Sequence, residues 1–211
     1  MYLKTKILLA AICAVAVASV YAAQPILTEI GRDLGVAPDA LGWLVSVGQL
    51  GYLVGLVVLV PLGDRLDRRR LIAFHLGLVG IGMIVVAAAP MAWAAYAGLA
   101  FSGLFAVVVQ TTVAYAAAVS DPAERGRNLG FVTSGVVVGI LGSRLIAGAL
   151  TDIWGWRSVY LSLALLAVIL GTMALLALPS DARRPARPYT ELVSSLGRLL
   201  SDPVFVRRGA I

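Results

Sequence analysis

Cysteine and histidine are almost missing from this chain, which has Cys13 and His75 and no others. A disulfide within the chain and a cysteine-ligated metal site are therefore excluded, and a lone histidine cannot supply the several ligands a metal needs. His75 reads as a packing or interfacial residue. Charge is scarce as well: 13% of residues are Asp, Glu, Lys or Arg, against about 25% in soluble domains. In their place 60% of residues are hydrophobic, and mean hydropathy is +0.94. An ordinary soluble domain is excluded, and the chain reads as an integral membrane protein. The net charge of +6 does not point to nucleic acid, because the basic residues fall in short segments between apolar runs and not along one face. The partner expected from composition is the lipid bilayer.

Apolar runs occupy about 7–30, 41–62, 71–89, 92–119, 129–150 and 159–178, each near the ~20 residues that cross a bilayer. Lys4 and Lys6 precede the first, and V-Y-A at 20–22 has the small-residue form of a signal-peptidase site. Two readings stand: a cleaved signal, or a first span continuing through Gln24 and Pro25. Alternate connections carry fourteen and two Lys or Arg residues, with Arg144 left inside a span. The positive-inside rule then places both termini in the cytoplasm of a multi-pass cell-membrane protein. Residues 1–178 form the bundle. Residues 179–203 read as a cytoplasmic linker: a Pro/Arg stretch, then Leu192, Val193, Leu196, Leu199 and Leu200 at the spacing of an interfacial helix. Residues 204–211 read as the start of a seventh span.

Shifting the sequence by 88 residues superposes Gly42 on Gly130, Ser46 on Ser134, Gly51 on Gly139 and Leu53 on Leu141. The same shift superposes Leu62 on Leu150, Asp64 on Asp152 and Arg69 on Arg157. A repeated three-helix unit must return inverted, because three is odd.

The connection V-P-L-G-D-R-L-D-R-R-R-L-I at 60–72 resembles the loop signature of the major facilitator superfamily, G-x-L-a-D-R-x-G-R-R-x-x-L. Leu62, Asp64, Arg65, Arg68 and Arg69 match it, while Val60 and Asp67 stand where it has glycine. G-A-L-T-D-I-W-G-W-R at 148–157 restores that spacing in a loop on the other side. The segment from Tyr21 to Val36 resembles the first-helix exit of drug and sugar efflux members, and 121–130 the family's fourth loop. The fold implied is all-α: six transmembrane helices as two inverted three-helix repeats, the N-terminal half of a secondary transporter. The implied activity is alternating-access movement of a small organic solute, as an efflux permease, and not enzyme catalysis. A second six-helix half is then required, from the same gene, a separate chain or a second copy; the alternative is a truncated six-span membrane protein that transports nothing without a partner half.

The resemblance also assigns residues. Asp64, with Arg65, Arg68 and Arg69, would latch the two halves; the alternative is simple pairing with Arg65 or Arg68, worth ~0–1 kcal/mol. Spans one and four line the family's cavity, which makes Tyr21, Gln24, Phe105 and Gln110 candidate substrate contacts. Gly130, Gly139, Ser143, Arg144 and Ala147 occupy the antiporter motif G-x8-G-x3-G-P-x2-G, with Ser-Arg replacing Gly-Pro. Arg144, ~9 Å inside its span by helical rise, either faces a cavity or snorkels towards Asp152. No cofactor is expected. Proton coupling rests on the resemblance alone, since Glu29, Asp33, Asp64 and Asp152 lie at or beyond span ends. A-F-S-G at 100–103 has the look of a rhomboid nucleophile site, but no histidine in span six could activate Ser102. Paired Asn-Pro-Ala elements of aquaporins are missing.

Overall fold

A computed structural model describes residues 1–61 and 66–180. Among them, six helices are long and apolar enough to cross a membrane: α1 Leu3–Leu34, α2 Pro38–Val58, α3 Arg68–Ala87, α4 Ala92–Val119, α5 Arg125–Trp154 and α6 Trp156–Ala177. α1 begins before its apolar run and takes in Lys4 and Lys6. Pro25 cannot continue an α-helix interior, and the chain passes it as a 3-10 turn at Gln24–Ile26 before the short helix Leu27–Leu34. Gly35, at φ 66, ends that helix in the left-handed conformation glycine tolerates.

The largest departure from the sequence expectation is at 148–157. This stretch is not a loop. α5 continues to Trp154, because 148–154 contains no proline and only Gly155, at φ 78 and ψ 161, breaks the ladder before α6 begins. At thirty residues α5 is ~45 Å long, well beyond a ~30 Å hydrocarbon core.

α1 packs chiefly on α5, α2 on α4, and α3 on α6. Exchanging α1 with α4, α2 with α5 and α3 with α6 maps the first of these contacts onto the second and the third onto itself. The chain is therefore two inverted three-helix repeats. A Cβ at Gly51 would lie 2.1 Å from the Ala100 carbonyl oxygen, and one at Gly139 would lie 2.4 Å from that of Ala14. These two glycines are the pair superposed by the 88-residue shift, and each lets two backbones meet.

Polar caps follow the same symmetry. Arg69, at the start of α3, donates to the Leu178 carbonyl at 3.3 Å, just past α6. Arg157, at the start of α6, donates to the Ala89 carbonyl at 3.0 Å, just past α3. Each repeat thus places a guanidinium on the C-terminal carbonyls of the other repeat's third helix, where the helix dipole favours a cation. Asp67, which stands where the family loop has glycine, is the N-cap of α3: its carboxylate accepts from Arg69 N at 2.9 Å and from Ser180 Oγ at 2.7 Å.

The core runs along α1 (Leu8, Leu9, Ile12, Cys13, Ala16) and α3 (Ile72, Leu76, Val79, Met83, Val86), all buried. α2 and α5 instead keep broad apolar faces exposed, including Leu53, Val54 and Val57 on one and Val137, Val138 and Leu141 on the other. Such faces suit lipid or another bundle, not water.

Candidate substrate groove

Between α1, α2, α4 and α5 lies a groove of about 420 Å³. Its walls are Val17, Val20 and Tyr21 from α1, Gln49 and Tyr52 from α2, Ala106 from α4, and Val136 and Ile140 from α5, with Ala16 at its base. The helical period makes these walls. Val17, Val20, Tyr21 and Gln24 recur at three- and four-residue intervals, as do Val136, Ile140 and Arg144, so each set forms one stripe. The α4 helix is interrupted here, ending one segment at Phe105 and starting another at Val108.

Polar groups are few. The Gln110 amide donates to the Tyr52 hydroxyl at 2.8 Å, joining α4 to α2 across the groove's edge. Arg144 donates to Gln24 Oε1 at 3.1 Å, joining α5 to α1 one turn further along the same two stripes. An apolar surface with a small number of placed polar groups is the usual make-up of a small-molecule site. Among the described residues, no group of three or more His, Cys, Asp and Glu side chains is placed to hold a metal.

The residues singled out in the sequence are distributed unevenly. Tyr21 lines the groove and Gln110 meets it through Tyr52, while Gln24 and Arg144 pair with each other beyond the lining residues. Phe105 is placed elsewhere: its ring packs 5.7 Å from His75 on α3 and 4.9 Å from Phe101, between helices. His75 itself is buried. Because α5 runs to Trp154, Arg144 lies ten residues, ~15 Å, from that end, deeper than a loop at 148 implied. Its partner is Gln24, not Asp152, which is exposed on the same helix.

Within the antiporter-like stripe, Gly139, Ser143 and Ala147 are buried, while Gly130 is exposed with nothing within 4 Å of an added Cβ. Nine residues are two and a half helical turns, so Gly130 and Gly139 sit on opposite faces. Gly135 takes the place expected of Gly130: a Cβ there would lie 2.1 Å from the Ala10 carbonyl oxygen. Arg68 is buried at the start of α3. Asp64 and Arg65 lie outside the described residues, as do the linker from 181 and the segment 204–211.

Two features escaped the sequence reading. Gln49 and Tyr52 were legible only as polar residues three apart within span two. At the far end of the bundle, the Asp33 carboxylate accepts from Trp156 Nε1 at 3.1 Å and from Arg157. The Arg157 guanidinium also lies over the Trp156 ring, 4.4 Å from its centroid. Residues 123 and more positions apart meet there, which no local pattern announces.

A polytopic helical bundle of two inverted three-helix repeats is an architecture found in many secondary transporters. The profile of the Major Facilitator Superfamily matches residues 7–211. The chain belongs to that superfamily. It is 36% identical over 196 residues to the uncharacterized transporter YgaY of Escherichia coli O157:H7, covering 93% of this chain and 50% of YgaY. It is 31% identical over 147 residues to the multidrug resistance protein Stp of Mycobacterium tuberculosis, covering 68% of this chain and 27% of Stp. The chain spans about half the length of the curated relatives it matches first. Among solved structures, the proton:xylose symporter XylE superposes with a TM-score of 0.71 at 15% identity, over 85% of this chain and 45% of XylE. That likeness concerns the fold.

Proposed function

We propose that this bundle supplies the substrate-binding face of a facilitator that moves a small organic solute across the cell membrane by alternating access, in the outward direction. The observation that carries the proposal is the groove walled by Tyr21, Gln49 and Tyr52, flanked by the Tyr52–Gln110 and Arg144–Gln24 pairs. Its walls come from α1, α2, α4 and α5, which the repeat exchanges in pairs, and the interface between repeats is where such transporters hold their cargo. The outward direction draws on the likeness to a protein named for multidrug resistance. In this reading both termini are cytoplasmic, and Asp64 with its arginines forms a latch to a second six-helix bundle. That bundle comes from the same gene, a separate chain or a second copy; the exposed apolar faces of α2 and α5 suit it.

The test is an efflux assay in a bacterial strain stripped of its main drug pumps, scored across a panel of small organic antibiotics and dyes. Cells producing the protein should hold less of at least one compound than control cells, and Tyr21→Ala and Gln110→Leu should restore accumulation. Greater accumulation in producing cells would reverse the direction. Lowered accumulation indifferent to both substitutions would remove the groove from the account.

A further inference from the structure

One turn beyond the groove lining stands Arg144, a positive charge that no acid balances among the described residues. Arg144 stands on α5 about four to five residues, ~7 Å, from the midpoint of that helix, well inside a ~30 Å hydrocarbon core. A guanidinium at such depth costs ~2.5–3.5 kcal/mol on insertion scales and is ordinarily met by a partner charge or turned to a water-filled cavity. Here its polar partner among the described residues is Gln24, a neutral amide whose oxygen accepts one N–H at 3.1 Å. A guanidinium carries five N–H donors, so most of its capacity is unused. Arg144 is also exposed. The helix places it one turn beyond Ile140, which lines the groove with Val136, between that stripe and the exposed Val137 and Leu141. Gln24 extends the α1 stripe of Val17, Val20 and Tyr21 in the same way. The dyad therefore lies one turn beyond the lining residues, while the wall itself is aliphatic and aromatic and its polar groups, Tyr21, Gln49 and Tyr52 with its partner Gln110, are uncharged.

We infer that the solute is an amphipathic organic anion, whose apolar body lies along Val17, Val20 and Ile140 and whose carboxylate or similar group is held by Arg144, oriented by Gln24. This rests on the groove being the solute site and adds the class of solute. A planar guanidinium suits a carboxylate with two parallel hydrogen bonds. A free organic cation would be repelled by it.

The test uses the protein purified into nanodiscs, with matched ligands that share an apolar body and differ in one group: 4-butylbenzoate, 4-butylbenzamide and 4-butylbenzylamine, and a second series built on a naphthyl body. Binding is read by equilibrium dialysis. The carboxylates should bind about tenfold or more tighter than the isosteric amides, the amount expected for hydrogen bonds to a charged group. Arg144→Gln should remove that preference, and Arg144→Lys should retain part of it. Gln24→Glu should also remove it, although Arg144 is still present, because an acid in that place neutralises the guanidinium; this variant guards against mere misfolding of the Arg144 substitutions. Tyr52→Phe should weaken all ligands and leave the ratio unchanged. Amides and carboxylates binding alike, both weakened by Tyr52→Phe, would overturn the anion inference and leave the groove standing. A carboxylate preference that survives Arg144→Gln would overturn it too. Should no ligand of either series bind, or Tyr52→Phe alter none, the groove reading fails with it.

Discussion

Substituting Gly139 or Gly51 by alanine tests the inverted repeat at the two positions where it is most demanding. A Cβ at Gly51 falls 2.1 Å from a carbonyl oxygen of α4, and one at Gly139 falls 2.4 Å from a carbonyl oxygen of α1. Ordinary contact begins at 3.4 Å, and neither obstacle is a side chain that can rotate away. The helix pairs must separate by about 1 Å. A gap of that size forfeits a quarter to a half of each dispersion contact along the seam, and overpacking of this kind costs ~1–3 kcal/mol. Alanine recovers up to ~1 kcal/mol of helix propensity; because both obstacles are backbone atoms, the overpacking cost falls in the upper part of that range, ~2–3 kcal/mol, and both variants should still lose at least ~1 kcal/mol. Gly130→Ala is the internal control: it meets nothing within 4 Å and should be neutral or slightly stabilising. Cys13 offers the readout, because it is the chain's only cysteine and is fully buried one residue from Ala14. A fluorogenic maleimide in a thermal ramp reports when that thiol opens. Gly51→Ala and Gly139→Ala should each lower the transition by at least ~2 °C, taking ~2–4 °C per kcal/mol for a domain of this size. Transitions as high as that of Gly130→Ala would refute the close-packed repeat.

Three further substitutions test other parts of the fold and the proposed latch. Gly155 holds φ 78 and ψ 161, a region essentially reserved for glycine, so Gly155→Ala should cost ~1–3 kcal/mol; Gly35, at φ 66 and ψ 34, lies where asparagine is accepted, and Gly35→Asn should be near neutral in the same thermal ramp. Asp64→Asn should leave membrane insertion intact and cut transport in the efflux assay. Unchanged transport would leave Asp64 as a solvated loop charge.

What could be read from the sequence was whatever depends on local period or on repetition. Runs of about twenty apolar residues announced the six helices, and the 88-residue shift picked out Gly51 with Gly139 and Arg69 with Arg157, pairs that occupy matching places in the two repeats. Motif matching went astray at Gly130, because spacing in a pattern does not say which face a residue takes; nine residues carry it to the far side of α5. The loop at 148–157 failed for a related reason. Its charge and aromatics resembled a connection, yet nothing in it stops a helix before Gly155. Long-range polar pairs were beyond reach: Tyr52 with Gln110, Arg144 with Gln24, and Asp33 with Trp156 and Arg157 depend on which helices adjoin, and the order of packing is not written in any window of sequence. Phe105 shows the same limit, since its ring packs against His75 of α3 and Phe101 and not in the groove.

A solute path between α1, α2, α4 and α5 must hold water, whereas a mere seam between helices would hold lipid. The most direct measurement is cysteine accessibility in native membrane vesicles, in a Cys13→Ala background. Ile140→Cys, on the groove wall, should react with a water-soluble, membrane-impermeant maleimide from at least one side, and an organic solute exported by the protein should slow that reaction. Leu161→Cys and Leu165→Cys, on the exposed apolar face of α6, should not react. Labelling at Leu161 and Leu165 with none at Ile140 would contradict the account.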